Sequence, residues 1–393
     1  RPRPGETPQT IRALAPLAKL SRLVVVKGEP DRGRYVDHVR FENLAFTASD
    51  ATPVEGGKGP LTFYPGQAAR AFDALLDATG ARNFALTGCF VRHTGNIGIR
   101  LRDGCFSNRV TRCVFEDLGA GGVWFGADGV RLAKDEKYPV ARREIFGYHP
   151  RANAFNVLED CVIRDGGRYN AMGTGVVIGH ASDCRVEHCE ISDFYYSGVS
   201  VGWQWAYLPT AAMRNLVRFN RIHDLGKGVL SDMGGVYTLG TAFGTRVTDN
   251  VIYNVSSRTY GGGGLYADEG SEGIVFARNL VYNTHDGGFH QHYGAGNTVQ
   301  NNIFAWNEQN GVIRTIRANV FNVRSSLNVV ANIVLTDRGD LASAGVRGVE
   351  GVWANNLWFD PNGEAKLDGL TWEDWRACGK EVNGRYADPK FVD

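Results

Sequence analysis

One motif recurs along most of this 393-residue chain. Each copy begins with Cys or Asn, continues with apolar residues and a short polar stretch, and ends in Gly followed by a β-branched run, as in CVFEDLGAGGV and NIFAWNEQNGV. The copies start 23 to 31 residues apart, with one interval of 48 that holds either two copies or one copy with a long insertion. A period of this size indicates a solenoid in which each repeat forms one coil. The leading residues are Cys89, Cys113, Cys161, Cys189, Asn220, Asn250, Asn279, Asn302, Asn332 and Asn356.

These repeats predict an all-β chain folded as a single right-handed parallel β-helix. Equivalent residues of successive coils lie about 4.8 Å apart in such a stack, so an Asn at a turn can hydrogen-bond to its counterparts above and below. A buried Cys acts as a small apolar side chain and can take the same place, which predicts that the leading cysteines are unpaired thiols. The 50 glycines suit the corners of the coils, where φ is positive.

The repeats fade towards both ends of the chain, which gives the expected boundaries. Residues 1–38 are expected to form a leading segment that follows a missing upstream part, because RPRPGETPQ is typical of a linker and no signal segment comes after it. Residues 39–370 are expected to form the β-helix, with a loop over residues 134–151 that overhangs one face. Residues 371–393 predict a capping segment, which covers the otherwise open last coil.

Charge and composition limit the partners. The chain has 43 Lys+Arg against 42 Asp+Glu, and this balance provides no electrostatic reason for binding nucleic acid or a membrane surface. No stretch approaches the roughly 18 consecutive apolar residues of a membrane span. The seven cysteines form no C-x-x-C pair, so neither a disulfide framework nor a structural metal is expected, and no cofactor is indicated.

Aligning the strands that follow each Gly corner separates the two faces of one sheet. The first residue after the Gly is apolar in six coils and is expected to face the core. Because strand side chains alternate, the second and fourth positions face outward. These two columns contain Tyr237, Tyr266 and His290, and Leu239, Asp268 and His292. The pattern therefore predicts an exposed patch roughly 10 Å across, bordered by Trp203, Trp205 and Trp124.

Several acidic residues near this patch are candidates for catalysis. Asp268 and Glu269 are adjacent, so a regular strand turns only Asp268 toward the patch, whereas a bulge would select Glu269. Asp232 lies in the preceding coil, before its Gly corner, and a role in forming its own turn is an equal alternative. Asp286 fits that turn-forming role better than Asp232 does.

Four strings in consecutive coils resemble glycoside hydrolase family 141, namely SGVSVGWQW, VLSDMGGVYTLG, GGGGLYADEGS and GGFHQHYGAGN. The resemblance extends over about residues 41–392 and depends on the order and the one-coil spacing of the strings. It implies cleavage of a plant cell-wall glycan, either fucosylated pectic glycan or xylan, by a pair of acidic residues. The positions that match this pair are Asp232 and Asp268. The residues that would line the sugar subsite are Tyr237, Tyr266, His290 and His292.

Hydrolysis of a glycosidic bond needs one carboxylic acid and one carboxylate. Asp268 is the expected acid/base, because its apolar and aromatic neighbours favour a raised carboxyl pKa, and Asp232 is then the expected nucleophile of a retaining reaction. The separation of the two carboxyls decides between retention and inversion, and the sequence does not supply it. Trp203 and Trp205 offer flat faces to sugar rings or pack inside, and Arg314 is a further expected substrate contact.

Two other functions fit the same residues. A polysaccharide lyase needs a base and a cation that neutralises a uronate, and His290, Tyr266 and Arg314 suit these roles, but no carboxylate cluster for Ca²⁺ is evident. A non-catalytic glycan-binding protein would use the aromatic rows without needing Asp232 or Asp268. A zinc site at His290 and His292 lacks an evident third ligand. Because glycan substrates lie outside the cell, we expect a secreted or periplasmic protein.

Overall fold

A computed structural model describes residues 20–51, 67–69, 72–126, 151–208, 210–317, 319–320, 323–343, 345–363 and 365–391, together with Gly5 and Thr7. The overhanging loop predicted at 134–151 lies outside the described residues except for Arg151. Most of the first half of the predicted leading segment lies outside them as well.

The chain winds into a right-handed parallel β-helix in which each coil adds one strand to each of three long sheets. Within the described ranges, sheet A and sheet B have eleven strands each and sheet C has twelve. Neighbouring strands in these sheets pair in parallel from coil to coil, as Val199–Gly202 does with Gly234–Leu239 in sheet A. The all-β, parallel β-helix predicted from the repeats is therefore confirmed.

The strands of the three sheets alternate in a fixed order along the chain. Sheet A consists of Val24–Lys27, Ala74–Thr79, Ile97–Leu101, Val123–Phe125, Val176–Ile178, Val199–Gly202, Gly234–Leu239, Gly263–Ala267, Phe289–Gln291, Gly311–Thr315 and Asp340–Ser343. Sheet B consists of Arg40–Glu42, Ala85–Thr87, Arg109–Thr111, Val157–Glu159, Arg185–Glu187, Leu216–Arg218, Arg246–Thr248, Val275–Ala277, Asn297–Gln300, Leu327–Val330 and Trp353–Ala354. Sheet C consists of Ala45–Ser49, Phe90–Thr94, Val114–Leu118, Val162–Arg164, Glu190–Ser192, Arg221–Leu225, Val251–Val255, Leu280–Asp286, Ile303–Gln309, Ile333–Leu335, Leu357–Phe359 and Arg385–Tyr386.

Smaller elements lie at the corners and ends of the coils. The two-stranded sheets pair Val36–Asp37 with Ala81–Arg82, Ser271–Glu272 with Gly294–Ala295, and Asn319–Val320 with Val323–Arg324. Short 3-10 helices are found at Pro30–Arg32, Gln67–Ala69 and Val346–Gly348, and an α-helix at Trp372–Ala377. Among the described residues, no helix is both long and apolar enough to cross a membrane.

The predicted column of Cys and Asn forms a hydrogen-bonded ladder between sheets B and C. The backbone N–H of Cys113 donates to Sγ of Cys161, and that of Cys189 donates to Oδ1 of Asn220 at 2.9 Å. Asn250 in turn donates from its backbone and from Nδ2 to Oδ1 of Asn279. The leading cysteines are buried free thiols, so both parts of the prediction are confirmed.

The inward face of sheet A follows the predicted alternation, with one exception. Val236, Leu265 and Phe289 pair in register and are fully buried in the core. In the next coil Phe289 pairs with Ile313 rather than with the expected Val312, so the register moves by one residue. This shift places Arg314 directly beside His290 on the outward face, which alternation counted from the Gly corner does not predict.

Both ends of the chain attach to the stack. Val24–Lys27, inside the predicted leading segment, already pairs with Ala74–Thr79 in sheet A. At the other end Trp375 is fully buried and packs on Trp353 with ring centroids 5.5 Å apart. The carboxylate of Glu381 accepts hydrogen bonds from Asn356 and so occupies the next position of the ladder. The boundaries at residues 38 and 370 remain predictions.

Candidate functional site

Four outward side chains of sheet A form one column across successive coils. Tyr237 pairs with Tyr266, Tyr266 with His290, and His290 with Arg314. The Tyr237 and Tyr266 rings meet edge to face at 5.1 Å, whereas Tyr266 and His290 stack with centroids 4.5 Å apart. The column predicted from the sequence is therefore present, and it extends one coil further to Arg314.

The exposure predicted for this patch is wrong. Tyr237, Tyr266 and His290 are at most 3% exposed, and Asp268 is 4% exposed. The reason is that side chains from outside the strands cover the outward face. Among them are Gln67 and Tyr196, which reach the same group of residues. The site, referred to below as the pocket, is therefore a covered cluster of side chains rather than an open strip of sheet.

Asp232 is held at the edge of this pocket by side chains from three other segments. The Tyr266 hydroxyl donates to Oδ1 of Asp232 at 3.2 Å, and Nε2 of Gln67 donates to Oδ2 at 3.1 Å. The Tyr196 hydroxyl donates to the backbone carbonyl of Asp232 at 2.8 Å. Asp232 as a whole residue is only partly buried.

The backbone around Asp232 is shaped by a close approach to the next coil. Asp232 itself has a φ of 58°, in the left-handed region. Gly261 also has a positive φ, and a Cβ there would lie 2.9 Å from the backbone nitrogens of Asp232 and Met233. Only glycine fits this position without displacing the acid, which explains the first glycine of the GGGG run.

Asp268 lies just beyond the end of its strand and is bound on both carboxylate oxygens. The Tyr237 hydroxyl donates to Oδ2, and Nδ1 of His292 lies 2.8 Å from Oδ1. Glu269 follows directly, accepts a hydrogen bond from the Tyr293 hydroxyl at 2.9 Å, and lies 4.0 Å from the same His292 nitrogen. The strand ends at Ala267, so alternation does not separate the two acids, and both lie near His292.

The surroundings of Asp232 change the pKa of its carboxyl. Burial, together with the negative charge of Asp268, raises the pKa of Asp232 from its ordinary value to about 6. The hydrogen bonds from Tyr266 and Gln67 act against this rise. The structure therefore brings the two predicted catalytic acids close enough to interact electrostatically, and the raised pKa keeps Asp232 protonated to a higher pH than an ordinary aspartic acid.

At the far end of the column, the positive charge of Arg314 is compensated by a carboxylate. Arg314 forms an ion pair with Asp286, whose side chain is fully buried. Asn310 donates a further hydrogen bond to Asp286 at 2.9 Å. Asp286 is thus a partner of the predicted site, not only a turn-forming residue. Burial, the charge of Arg314 and His292 hold the pKa of His290 well below its usual value, so its ring is neutral at neutral pH.

The three tryptophans predicted at the border differ in position. Trp203 is 1% exposed and packs on Tyr237 and Trp205, so its faces are not free to stack on a sugar. Trp205 is 38% exposed and remains a candidate platform. Trp124 lies three coils from Tyr237 in the register and contacts Arg100, so it does not border the pocket.

Two residues of the site were missed from the sequence. Tyr196 stands in the string DFYYSGV, one coil before Asp232, and its place before a Gly corner resembles that of Asp232. That position was a usable signal. Gln67 precedes Asp232 by 165 residues and stands in an irregular stretch, so no repeat or spacing connects it to the site.

A separate cavity of about 600 Å³ opens at another corner of the β-helix. Its lining includes Asp50, His93, Asp117, Arg168 and Tyr169, none of which belongs to the predicted site. His93 is already paired with Asp117 at 2.6 Å. Within the described ranges, no group of three or more His, Cys, Asp or Glu side chains is arranged to hold a metal ion.

Comparisons with known proteins agree with this architecture. The family described as the right handed beta helix region matches residues 151–334. The sequence has no significant match among curated proteins. A solved structure titled "Glycoside hydrolase" aligns with a TM-score of 0.57 at 22% identity, over 72% of this chain and 50% of that one. These matches and the coil geometry place the chain among proteins with the right-handed parallel β-helix fold.

Two further solved structures have the same fold. XylC in complex with xylose aligns with a TM-score of 0.52 at 13% identity, over 84% of this chain and 58% of that one. The A-module of the mannuronan C-5 epimerase AlgE4 of Azotobacter vinelandii aligns with a TM-score of 0.53 at 11% identity, over 90% of each chain. The chain thus spans about half the length of the first two structures and nearly all of the third.

Proposed function

We propose that this protein hydrolyses a glycosidic bond with Asp232 and Asp268 as its catalytic pair. The observation that carries the proposal is the pKa of Asp232, raised to about 6 by burial and by the charge of Asp268. Glycoside hydrolysis needs one protonated carboxyl and one carboxylate, and a carboxyl whose pKa is raised by burial suits the protonated role. Both acids come from neighbouring coils of one sheet, so the rigid stack sets their relative position.

The raised pKa of Asp232 favours this residue as the general acid and Asp268 as the nucleophile, which reverses the roles expected from the sequence. Asp232 is the general acid that protonates the leaving oxygen, because its raised pKa leaves a larger fraction of it protonated at mildly acidic pH than in an ordinary aspartic acid. Asp268 is the carboxylate that attacks the anomeric carbon in a retaining reaction, with Tyr237 and His292 orienting its two oxygens. Glu269 is the alternative carboxylate, since it lies beside the same histidine.

The substrate class is proposed from the resemblance to glycoside hydrolase family 141, to which we assign the chain as part of this proposal. The substrate is then a fucosylated pectic glycan or xylan, met outside the cell by a secreted or periplasmic protein. Trp205 and Tyr260 are 38% and 52% exposed and provide aromatic faces close to the acids. Carbohydrate as the ligand is supported also by two fold neighbours, one described as a glycoside hydrolase and the other as XylC in complex with xylose.

The test is the release of reducing sugar from fucosylated pectic oligosaccharides and xylan. The native chain is compared with Asp232→Asn and Asp268→Asn, each of which should lower turnover by about 10³-fold or more. Asp249→Asn is the matched control, because this carboxylate is paired with Arg278 in the ladder region away from the pocket. Release that persists in both pocket variants would contradict the assigned pair. Binding of these glycans without any release would instead indicate a non-catalytic glycan-binding protein.

A further inference from the structure

The cavity of about 600 Å³ lies on the same edge of the β-helix as Asp232. We call this line of corners, where each coil turns from sheet C into sheet A, the C–A edge. Asp50 follows the sheet C strand Ala45–Ser49, and Asp232 follows the sheet C strand Arg221–Leu225. The strand pairing places the coil of Asp50 five coils before that of Asp232, and the coil of Tyr169 two coils before it. The cavity therefore begins about 10 Å from the coil of Asp232 and extends to about 24 Å along the axis.

The cavity is formed by a difference in length between successive turns of the C–A edge. Two coils turn from sheet C into sheet A within residues 95–96 and 119–122, whereas the next coil uses residues 165–175. The longer turn folds back over the shorter ones, because the backbone N–H of Tyr169 donates to the carbonyl of Gly119 at 2.9 Å. Backbone hydrogen bonds thus hold the cavity wall in place, and a ligand meets a preformed site.

The lining of the cavity combines an aromatic ring with hydrogen-bonding groups of both kinds. Tyr169 is 67% exposed in this lining. The carboxylates of Asp50 and Asp117 accept hydrogen bonds, and the guanidinium of Arg168 donates them. His93 is bound to Asp117 through Nδ1 at 2.6 Å and can offer Nε2 to a ligand. A sugar residue has an apolar ring face that packs on an aromatic ring and hydroxyls that donate and accept, so the cavity has the chemistry of a sugar subsite.

Tyrosine side chains continue along the C–A edge from the cavity to Asp232. A Cβ at Gly167 would lie 3.2 Å from Cδ2 of Tyr195, so this ring packs against the long turn that forms the cavity wall. Tyr196 is the next residue, and its hydroxyl donates to the backbone carbonyl of Asp232 at 2.8 Å. The backbone N–H of Asp232 donates to the carbonyl of Tyr260, one coil further along, whose side chain is 52% exposed. The C–A edge therefore carries tyrosines on both sides of Asp232.

We propose that the cavity is a distal subsite for a long glycan chain that lies along the C–A edge and crosses Asp232, so that the bond is cut within the chain and not at its end. This inference rests on the proposed hydrolysis at Asp232 and Asp268, and it adds the mode of cleavage. The glycosidic C–O bond breaks, and water supplies the hydroxyl of the new reducing end and the proton of the other new end.

The spacing of the coils suits a chain of sugars. A pyranose residue is similar in length to the coil spacing of about 4.8 Å, so a chain parallel to the axis advances by roughly one residue per coil. A chain seated in the cavity then has about two to five residues on that side of Asp232. Tyr260 contacts the chain on the other side of the cut. Removal of a terminal sugar would place only one residue on one side of Asp232, whereas this edge has binding faces in both directions.

The test compares a short and a long member of one series. The probes are a trisaccharide and an oligosaccharide of about eight residues, since a chain that reaches from the cavity past Asp232 needs about that many. Both lengths are taken from linear xylan and from the linear backbone of pectin. The native chain should cleave the longer probe with a kcat/KM about tenfold or more above that of the trisaccharide, and the products should show internal cuts. Equal kcat/KM on both lengths, or release of single sugars from one end, would overturn the proposal.

Variants of the cavity test the distal subsite directly. Tyr169→Ala removes the aromatic ring, so KM for the long probe should rise about tenfold while KM for the trisaccharide stays within about twofold. Ala51→Trp fills the cavity from a lining position and should have the same effect. Phe219→Ala is the matched control, because Phe219 is 46% exposed at a corner between sheets B and C. An equal rise of KM for both lengths, or no rise for the long probe, would contradict the distal subsite.

Binding to the Asp268→Asn variant, measured by titration calorimetry, keeps this inference separate from the proposed function. If the native chain releases no sugar but this variant binds the long probe more tightly, and Tyr169→Ala removes that difference, the subsite is retained and the hydrolase is overturned. Release that Tyr169→Ala and Ala51→Trp leave unchanged would retain the hydrolase and overturn the subsite. A failure to bind either long probe would also overturn the subsite.

Discussion

The hydroxyl of Tyr266 donates a hydrogen bond to Oδ1 of Asp232 at 3.2 Å, although the two residues stand on different coils. This bond stabilises the ionised carboxylate and lowers its pKa, whereas burial and the charge of Asp268 raise it. The pKa of Asp232 therefore depends on opposing effects. The hydrogen bond from Tyr266 and the charge of Asp268 can each be removed by one substitution.

Tyr266→Phe removes the contact that favours the ionised form of Asp232. The pKa of Asp232 should rise above about 6, and the alkaline limb of kcat/KM should move to higher pH. Tyr253→Phe is the matched control, since Tyr253 stacks on Tyr282 in sheet C and lies outside the pocket. A limb that stays in place or moves to lower pH in Tyr266→Phe would contradict this account of Asp232.

The roles of the two acids can be distinguished by the leaving group. A substrate whose leaving group departs without protonation does not need a general acid, so Asp232→Asn should retain much of its turnover on a dinitrophenyl glycoside while losing about 10³-fold or more on the natural linkage. Asp268→Asn should lose turnover on both substrates. The measurement is kcat on each substrate, and the reverse pattern would restore Asp268 as the acid.

Asp268→Asn should also lower the pKa of Asp232, because it removes a negative charge that favours the protonated form. This variant is expected to be inactive, so the carboxyl of Asp232 is followed by ¹³C NMR over a pH titration. Asp249→Asn serves again as the distant control. An unchanged titration of Asp232 in Asp268→Asn would mean that burial alone sets its pKa.

The raised pKa predicts how stability depends on pH. Asp232 titrates at about 6 in the folded chain and near its ordinary value of 3.8 when unfolded, so ionising it lowers the free energy of unfolding as pH rises through 6. Asp232→Asn should therefore be more stable than the native chain at pH 8, by up to about 2 to 3 kcal/mol. The difference should vanish below about pH 4. Urea denaturation at both pH values measures it, and a destabilised variant at pH 8 would contradict the prediction.

Gly261→Ala should disturb the acid without unfolding the stack. A Cβ there meets the backbone of Asp232 and Met233 at 2.9 Å, so the loop must shift and kcat should fall at least tenfold. Gly228→Ala is a close control, because Gly228 also has a positive φ but has no atom within 4 Å of the added Cβ. Equal losses of activity in both variants would attribute the effect to backbone strain and not to the clash.

Much of the fold follows from the sequence because each coil repeats the same local pattern. The column that contains Asn250 and Asn279 follows from the distance in sequence between equivalent residues of successive coils. The outward column that contains Tyr237 and Tyr266 follows from the alternation of side chains along each strand. Both patterns can be read directly from the sequence. The pairing of Asp232 with Asp268 does not follow from this spacing, since Asp232 precedes its strand and Asp268 follows the adjacent strand. The family resemblance suggested that pairing.

The local sequence pattern does not predict the one-residue register shift between Phe289 and Ile313. Two consecutive apolar residues follow Gly311, so periodicity alone allows either of them to face the core. The pairing with the neighbouring strand selects Ile313, and this choice turns Arg314 toward His290.

By itself the sequence determined the coil, the ladder and the column of Tyr237, Tyr266 and His290, because these depend on short-range periodicity. Only the tertiary structure decided that the pKa of Asp232 is raised and that the charge of Arg314 is compensated. Gln67 and Tyr196 cover Asp232 from distant or irregular parts of the chain, and Asp286 neutralises Arg314 from a neighbouring coil. Burial and charge compensation are properties of the assembled surface, and they set the pKa values on which the chemistry depends.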